Sequence, residues 1–257
     1  MSTFHIYRRL AVLTAVVIVT VGVLFASTGY LHSHHARVQD LPNKASPATL
    51  LNTYGKLPLV FEANQGQSDG SVKFLTRGNG YSLFLTTGGP VLALGDKTGQ
   101  GMLYLHLVGA NADAQVVGLD ELPGKVSYFV GNDARMWRSG IPTYAQVMYR
   151  NVYPGVNLVF YGNQEHLEYD FVLTPGANPN IIQLNFEGAK NLKLDSQGNL
   201  ALSMQSGQIF QAEPDIYQEI GGAKHAISGH YVLRGTNLVG FDVAGYDSTR
   251  PLVIDPV

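Results

Sequence analysis

The chain has 257 residues, 14% of them charged, and a net charge of −2. It contains no cysteine, which excludes disulfide frameworks, zinc–thiolate centres and cysteine nucleophiles. It also carries no stripe of Lys and Arg, so nucleic acid is not an expected partner, because phosphate contacts need clustered cations.

Arg8 and Arg9 precede an uncharged stretch whose apolar core runs from Leu10 to Ala26. A membrane span needs ~20 apolar residues, and the core of a cleaved signal ~7–15. Leu24-Phe25-Ala26 puts a large residue where a cleavage site needs a small one. Residues 1–30 are therefore expected to form a signal anchor, in preference to the cleaved signal of a secreted protein. Arg8 and Arg9 would hold the N-terminus in the cytoplasm, with the bulk of the chain outside, in the periplasm or at the cell surface.

Residues 31–56 read as a linker with a short helix. His32, His34 and His35 lack further ligands at a defined spacing, so this stretch reads as a solvated tether and not as a metal site. Ser46 and Pro47 suit an N-cap and a first helical turn, and Gly55 suits a stop.

From Leu57 onward, apolar residues recur with period two. Residues 72–77 and 81–86 flank Gly78-Asn79-Gly80, a hairpin signal. Residues 90–95 and 102–108 predict a second hairpin. Residues 115–119 and 125–130 predict a third, turning at Pro123-Gly124. A strand over 143–149 leads to Tyr153-Pro154-Gly155, which reads as a turn and as the divide between two β units, 57–155 and 156–257.

The second unit opens with strands at 156–161 and 166–173. In the latter, Leu167, Tyr169, Phe171 and Leu173 face one way and Glu168 and Asp170 the other. Strands follow around Leu184, Leu192, Leu202, Ile209, Val232 and Phe241. Short strands at a spacing of about 8–12 residues predict an all-β fold of two packed antiparallel sandwich-like units after one N-terminal hydrophobic helix. No helical pattern separates the strands, which excludes a parallel α/β fold.

Candidate chemistry is sparse. Glu168 and Asp170 share a strand face and could serve a glycan-acting hydrolase, but any i, i+2 pair meets that spacing and a solvated sheet face is the better explanation. The loops Asp195 to Asn199 and Gly131 to Asp133 lack the calcium-loop pattern and read as turns. Gly78 to Gly80 and Gly221-Gly222 do not lead from a strand into a helix, so they are not phosphate cradles. Ser139, Ser203 and Ser228 have no nucleophile-elbow context. No catalytic residue, cofactor or metal site is assigned. Trp137 and Tyr144, with Glu168 and Asp170, are the candidate ligand surface. Glu62, Asn64 and Gln65 lie in an apolar setting and are expected to form a structural hydrogen-bond brace between the two units.

The segments Leu59-Val60-Phe61-Glu62-Ala63-Asn64-Gln65-Gly66-Gln67, Tyr128-Phe129-Val130-Gly131-Asn132-Asp133 and Val152-Tyr153-Pro154-Gly155-Val156-Asn157 carry a family resemblance. They resemble a bacterial domain of unknown function that stands at the N-terminus of exported proteins with SBBP repeats, the seven-bladed β-propeller repeats. The resemblance implies an exported, surface-associated role and covers roughly residues 57–257. In that family a segment like Pro251 to Val257 leads into the propeller; here the sequence stops, which fits either a stand-alone module or a piece of a longer protein. The expected function is a non-catalytic, membrane-anchored interaction or scaffold module with a protein or glycan partner. A secreted carbohydrate-binding module and a hydrolase are the alternatives.

Overall fold

The computed structural model describes residues 59–96, 99–163, 166–205 and 207–256. The expected anchor, linker and short helix lie outside them. Among the described residues no helix is long and apolar enough to cross a membrane. Pro58 to Val257 form one compact unit.

The described residues are nearly all β, with one large antiparallel sheet and one small one. Strands β1 (Phe61–Ala63), β2 (Val72–Gly78), β3 (Tyr81–Thr86), β4 (Gly89–Asp96) and β5 (Gly99–Leu107) pair in succession. Then β6 (Gln115–Tyr128) and β7 (Arg138–Tyr153) form a long hairpin. β8 (Val156–Asn163) and β9 (His166–Leu173) continue from β7. β10 (Leu184–Glu187) returns to lie beside β5. β11 (Asn191–Leu194), β12 (Leu200–Ser203) and β13 (Gln208–Gln211) make the separate small sheet. β14 (Asp215–Ile220), β15 (Ala223–Ala226), β16 (Gly229–Leu233), β17 (Leu238–Val243) and β18 (Leu252–Asp255) complete the large one.

β7 organises the large sheet. One edge pairs with β6 along most of its length. The other edge pairs with β1 at Thr143 and Tyr144 and then with β8 from Gln146 to Tyr153. Two wings leave from that edge. One runs β1-β2-β3-β4-β5-β10-β17-β16, the other β8-β9-β18-β14-β15. The wings face each other: Phe171 of β9 packs on Phe241 of β17, ring centroids 5.9 Å apart, although the strands are far apart in the ladder. The Tyr149 hydroxyl donates to the Thr86 carbonyl at 2.9 Å, tying β7 to the end of β3.

Alternation sets which face is buried. Val156, Leu158 and Phe160 of β8 and Phe171 and Leu173 of β9 point into one continuous core shared with Phe61, Leu85 and Leu184. The Tyr153-Pro154-Gly155 turn joins two neighbouring strands, and Tyr153 and Val156 on either side of it are both buried. Each wing draws its strands as the topology requires: β10, β16 and β17, from beyond that turn, pair into the wing that begins with β1. Gly155 has φ +73, and a Cβ there would lie 2.7 Å from Thr174 Oγ1, so the turn requires glycine.

Two local expectations change. Pro123-Gly124 is not a hairpin turn; it lies within the single strand β6, where the register to β7 shifts between Leu122 and Lys125. A bulge absorbs the proline, which cannot donate to the ladder. The strands β14, β15 and β18 were not expected. Gly221 and Gly222, both with positive φ, form the turn between β14 and β15.

Candidate functional site

Glu62, Asn64 and Gln65 stand at the foot of an exposed loop. Glu62 of β1 is 9% exposed. Its carboxylate accepts the Tyr128 hydroxyl and, at 3.0 Å, the Arg77 guanidinium, which also donates to the Tyr128 oxygen at 2.6 Å. A buried carboxylate persists when it is paired in this way. Burial, and next the hydrogen bond to Glu62, push the Tyr128 hydroxyl up to about 12.

Asn64 folds the turn after β1: its amide donates to the carbonyls of Asp69 and Val72 at 2.7 and 2.9 Å, and its oxygen accepts from the amides of Gly66 and Ser68. The Gln65 side chain is exposed; the residue contributes its carbonyl, which accepts Arg138 Nε at 3.0 Å. All these partners lie on β1, β2, β6, β7 and their turns, so the brace joins strands on one side of the Tyr153 turn.

Tyr128 and Arg138 flank the loop between β6 and β7. There Asp133 caps a 3-10 turn, Ala134–Met136, and accepts the backbone amide of Arg135 at 3.0 Å. Its two carboxylate oxygens also take the Arg135 guanidinium, which holds the Asp133 carboxyl below its ordinary range. Trp137 Nε1 donates to the Gly131 carbonyl at 3.2 Å, and Arg138 donates to the carbonyls of Arg135 and Trp137. The result is a loop held by side chains that presents apolar groups to water. Phe129 is 61% exposed, Met136 64% and Trp137 42%, with the Phe129 and Trp137 rings edge to face at 5.3 Å. Large apolar side chains clustered on a surface mark an interaction site more often than single exposed ones do.

The other candidate residues lie elsewhere. Tyr144 packs edge-on against Phe74 at 5.5 Å and over Gly118, against the core. Glu168 and Asp170 of β9 do not lie on a solvated face: Glu168 is buried and Asp170 half-buried. The Asn163 amide donates to Glu168 at 3.1 Å, and the Tyr161 hydroxyl donates to Asp170 at 3.0 Å.

Asp170 has a partner that the strand reading missed. Ile254 of β18 pairs with Phe171, and Asp255 with Asp215 of β14, so Asp170, Asp255 and Asp215 form a row across three strands. Burial, and next the charge of Asp255, raise the Asp170 carboxyl to about 7. Asp255 is raised by burial and by the charges of Glu168 and Asp215. Such carboxyls share protons because neighbouring like charges in a poorly hydrated place cannot all ionise. The alternation of Leu252 and Ile254 with Val253 and Asp255 was the available signal for β18. Among the described residues, no group of three or more His, Cys, Asp or Glu is placed to hold a metal ion. Asp195 accepts the amides of Gln197 and Asn199 and closes the turn between β11 and β12.

The fold and these sites define an antiparallel β domain with an aromatic loop on a polar foot. Residues 61–257 match the family described as Domain of unknown function (DUF7948), and the chain belongs to that family. No curated protein and no solved structure matches it.

Proposed function

We propose that this chain is a non-catalytic interaction module, anchored in a membrane through the segment from Leu10 to Ala26, with its β domain outside the cytoplasm and its 129–137 loop as the docking surface for a protein partner at the cell surface. The resemblance to the N-terminal domains of SBBP-repeat proteins adds the setting of an exported, surface-associated assembly. The observation that carries the reading is the exposure of Phe129, Met136 and Trp137 on a loop held by Asp133, Arg135 and Arg138. Aromatic groups fixed before contact lose little entropy on binding and are typical anchors of interfaces.

The test is a photo-crosslinking amino acid placed at Met136 of the full chain in its native cell. A discrete crosslink to an envelope protein, lost on Trp137→Ala, is the expected result. The same crosslink pattern from a photo-crosslinker at the exposed position Leu233, or none at Met136, overturns the reading. Fractionation tests the anchor: recovery as a soluble protein with a new N-terminus between Ala26 and Arg37 rejects it. Sugar binding is the second reading, favoured by the exposure of Trp137; polysaccharide retention that Trp137→Ala abolishes would replace the protein partner with a glycan.

A further inference from the structure

Among the described residues, three strands of the large sheet pair on one edge alone: β15 and β16 at its two ends, and β6 beside β7. An open edge is a row of unpaired main-chain groups, which natural proteins blunt with charges, bulges or close cover. β15 is four residues long and carries Lys224 and His225. β16 carries His230, and its start lies against the other wing, where a Cβ on Gly229 would sit 2.5 Å from Ile216 Cδ1 of β14. The second half of β6 is blunted by Asp120, whose φ is 55, by the Glu121–Lys125 pair and by the register shift after Leu122.

The first half of β6 has none of these devices. Residues 115–119 pair with 146–150 of β7 without a break, and they include no charge and no proline. Among the described residues, no main-chain group outside that ladder is hydrogen-bonded to their backbone. In an antiparallel ladder every second residue turns its N–H and C=O to the outer side. Val116 packs against the core, so alternation puts Val117 and Leu119 on the opposite face, where both are half-buried. An extended main chain completes such a row, with apolar side chains lying beside Val117 and Leu119. The ends of the stretch add a charge requirement. Asp113 and Asp120 are exposed on either side of it, and neither is in an ion pair among the described residues. A second copy does not meet that requirement: antiparallel pairing centred on Val117 would set Glu121 of each copy against Asp113 of the other.

We infer that the open edge of residues 115–119 is a docking site for an extended apolar segment of another protein, flanked by Lys or Arg, which adds to the large sheet as a further strand beside β6. The proposal gives the form of the segment that docks, and it rests on the protein-partner reading for the existence of that partner. Main-chain pairing supplies the affinity, and the flanking cations meet Asp113 and Asp120.

The test is amide hydrogen exchange in the full chain, held in phosphatidylcholine nanodiscs. The probe is a short peptide of alternating Val and Thr with a Lys at each end. Saturable slowing of exchange at residues 115–119 is expected, roughly tenfold at ten times the dissociation constant, with β15 unchanged. No slowing, or equal slowing in β15, overturns the site. The same peptide N-methylated at successive central amides cannot pair by either edge, and undiminished protection by it overturns strand addition. Val117→Lys puts a charge on the edge and is expected to remove most of the protection; full protection in that folded variant overturns the site. Should that variant lose its cooperative melt, Leu119→Lys takes its place with the same two outcomes. A peptide ending in Glu that protects as well as the Lys-ended one at low salt overturns the charge requirement. Protection at the edge with no crosslink at Met136 supports the edge and rejects the loop as the docking surface; a crosslink at Met136 with no protection at the edge does the reverse.

Discussion

Glu62 shows how one residue can set a local arrangement. Its carboxylate is the common acceptor for Arg77 and Tyr128, and the three side chains tie β1, β2 and β6 together. Glu62→Ala leaves a buried tyrosine hydroxyl and a guanidinium without that acceptor, and it is expected to destabilise the fold by about 1–3 kcal/mol in urea denaturation. Asp170 gives a prediction of opposite kind. Its carboxyl is raised from 3.8 to about 7 in the folded chain, so between these values the folded state holds a proton that the unfolded state has released. Its contribution to stability is full below about pH 4 and is lost as the pH rises through 7. Asp170→Asn is therefore expected to melt higher than wild type at pH 8 and to gain less at pH 4, with a shallower dependence between; a larger gain at pH 4 would reject the assignment. Glu168 and Asp170 were visible as a strand pair in the sequence. Asp255 was not, because its place beside Asp170 is a register between strands separated by more than eighty residues.

At the scale of elements, the β6–β7 hairpin carries the candidate docking loop. Its strands were readable from their alternation, but Pro123-Gly124 carries the same local signal as a turn. Only the pairing partner β7, which runs straight past it, makes it a bulge. The 153–155 turn is the converse case, where the local chemistry was sufficient. Gly155→Ala there forces a left-handed conformation on a residue with a Cβ, against Thr174 Oγ1. A cost of roughly 1–2 kcal/mol or more is expected from thermal denaturation. The β14–β15 hairpin leaves no pattern in the sequence because β15, Ala-Lys-His-Ala, is exposed throughout and shows no apolar alternation.

At the scale of the whole molecule, the wings interleave. β10 and β17 extend the wing begun by β1, and Phe241 of β17 covers Phe171 of the other wing. Residues 58–155 and 156–257 produced apart are expected to lack dispersed amide resonances, and to regain them when mixed. Two independently folded halves would show dispersion separately.

The sequence by itself determined the all-β class, most hairpins, the polar residues that follow Phe61 and Trp137 as a candidate contact residue. Each of these follows from neighbours in the chain: side-chain alternation, turn residues and local hydrogen-bonding groups. Tertiary structure alone decided that β7 serves two wings, that three aspartates align across β9, β18 and β14, and that the Tyr81 hydroxyl is buried without a partner. Those features depend on register and packing between distant strands, which are fixed by the burial of the whole core and by no local pattern.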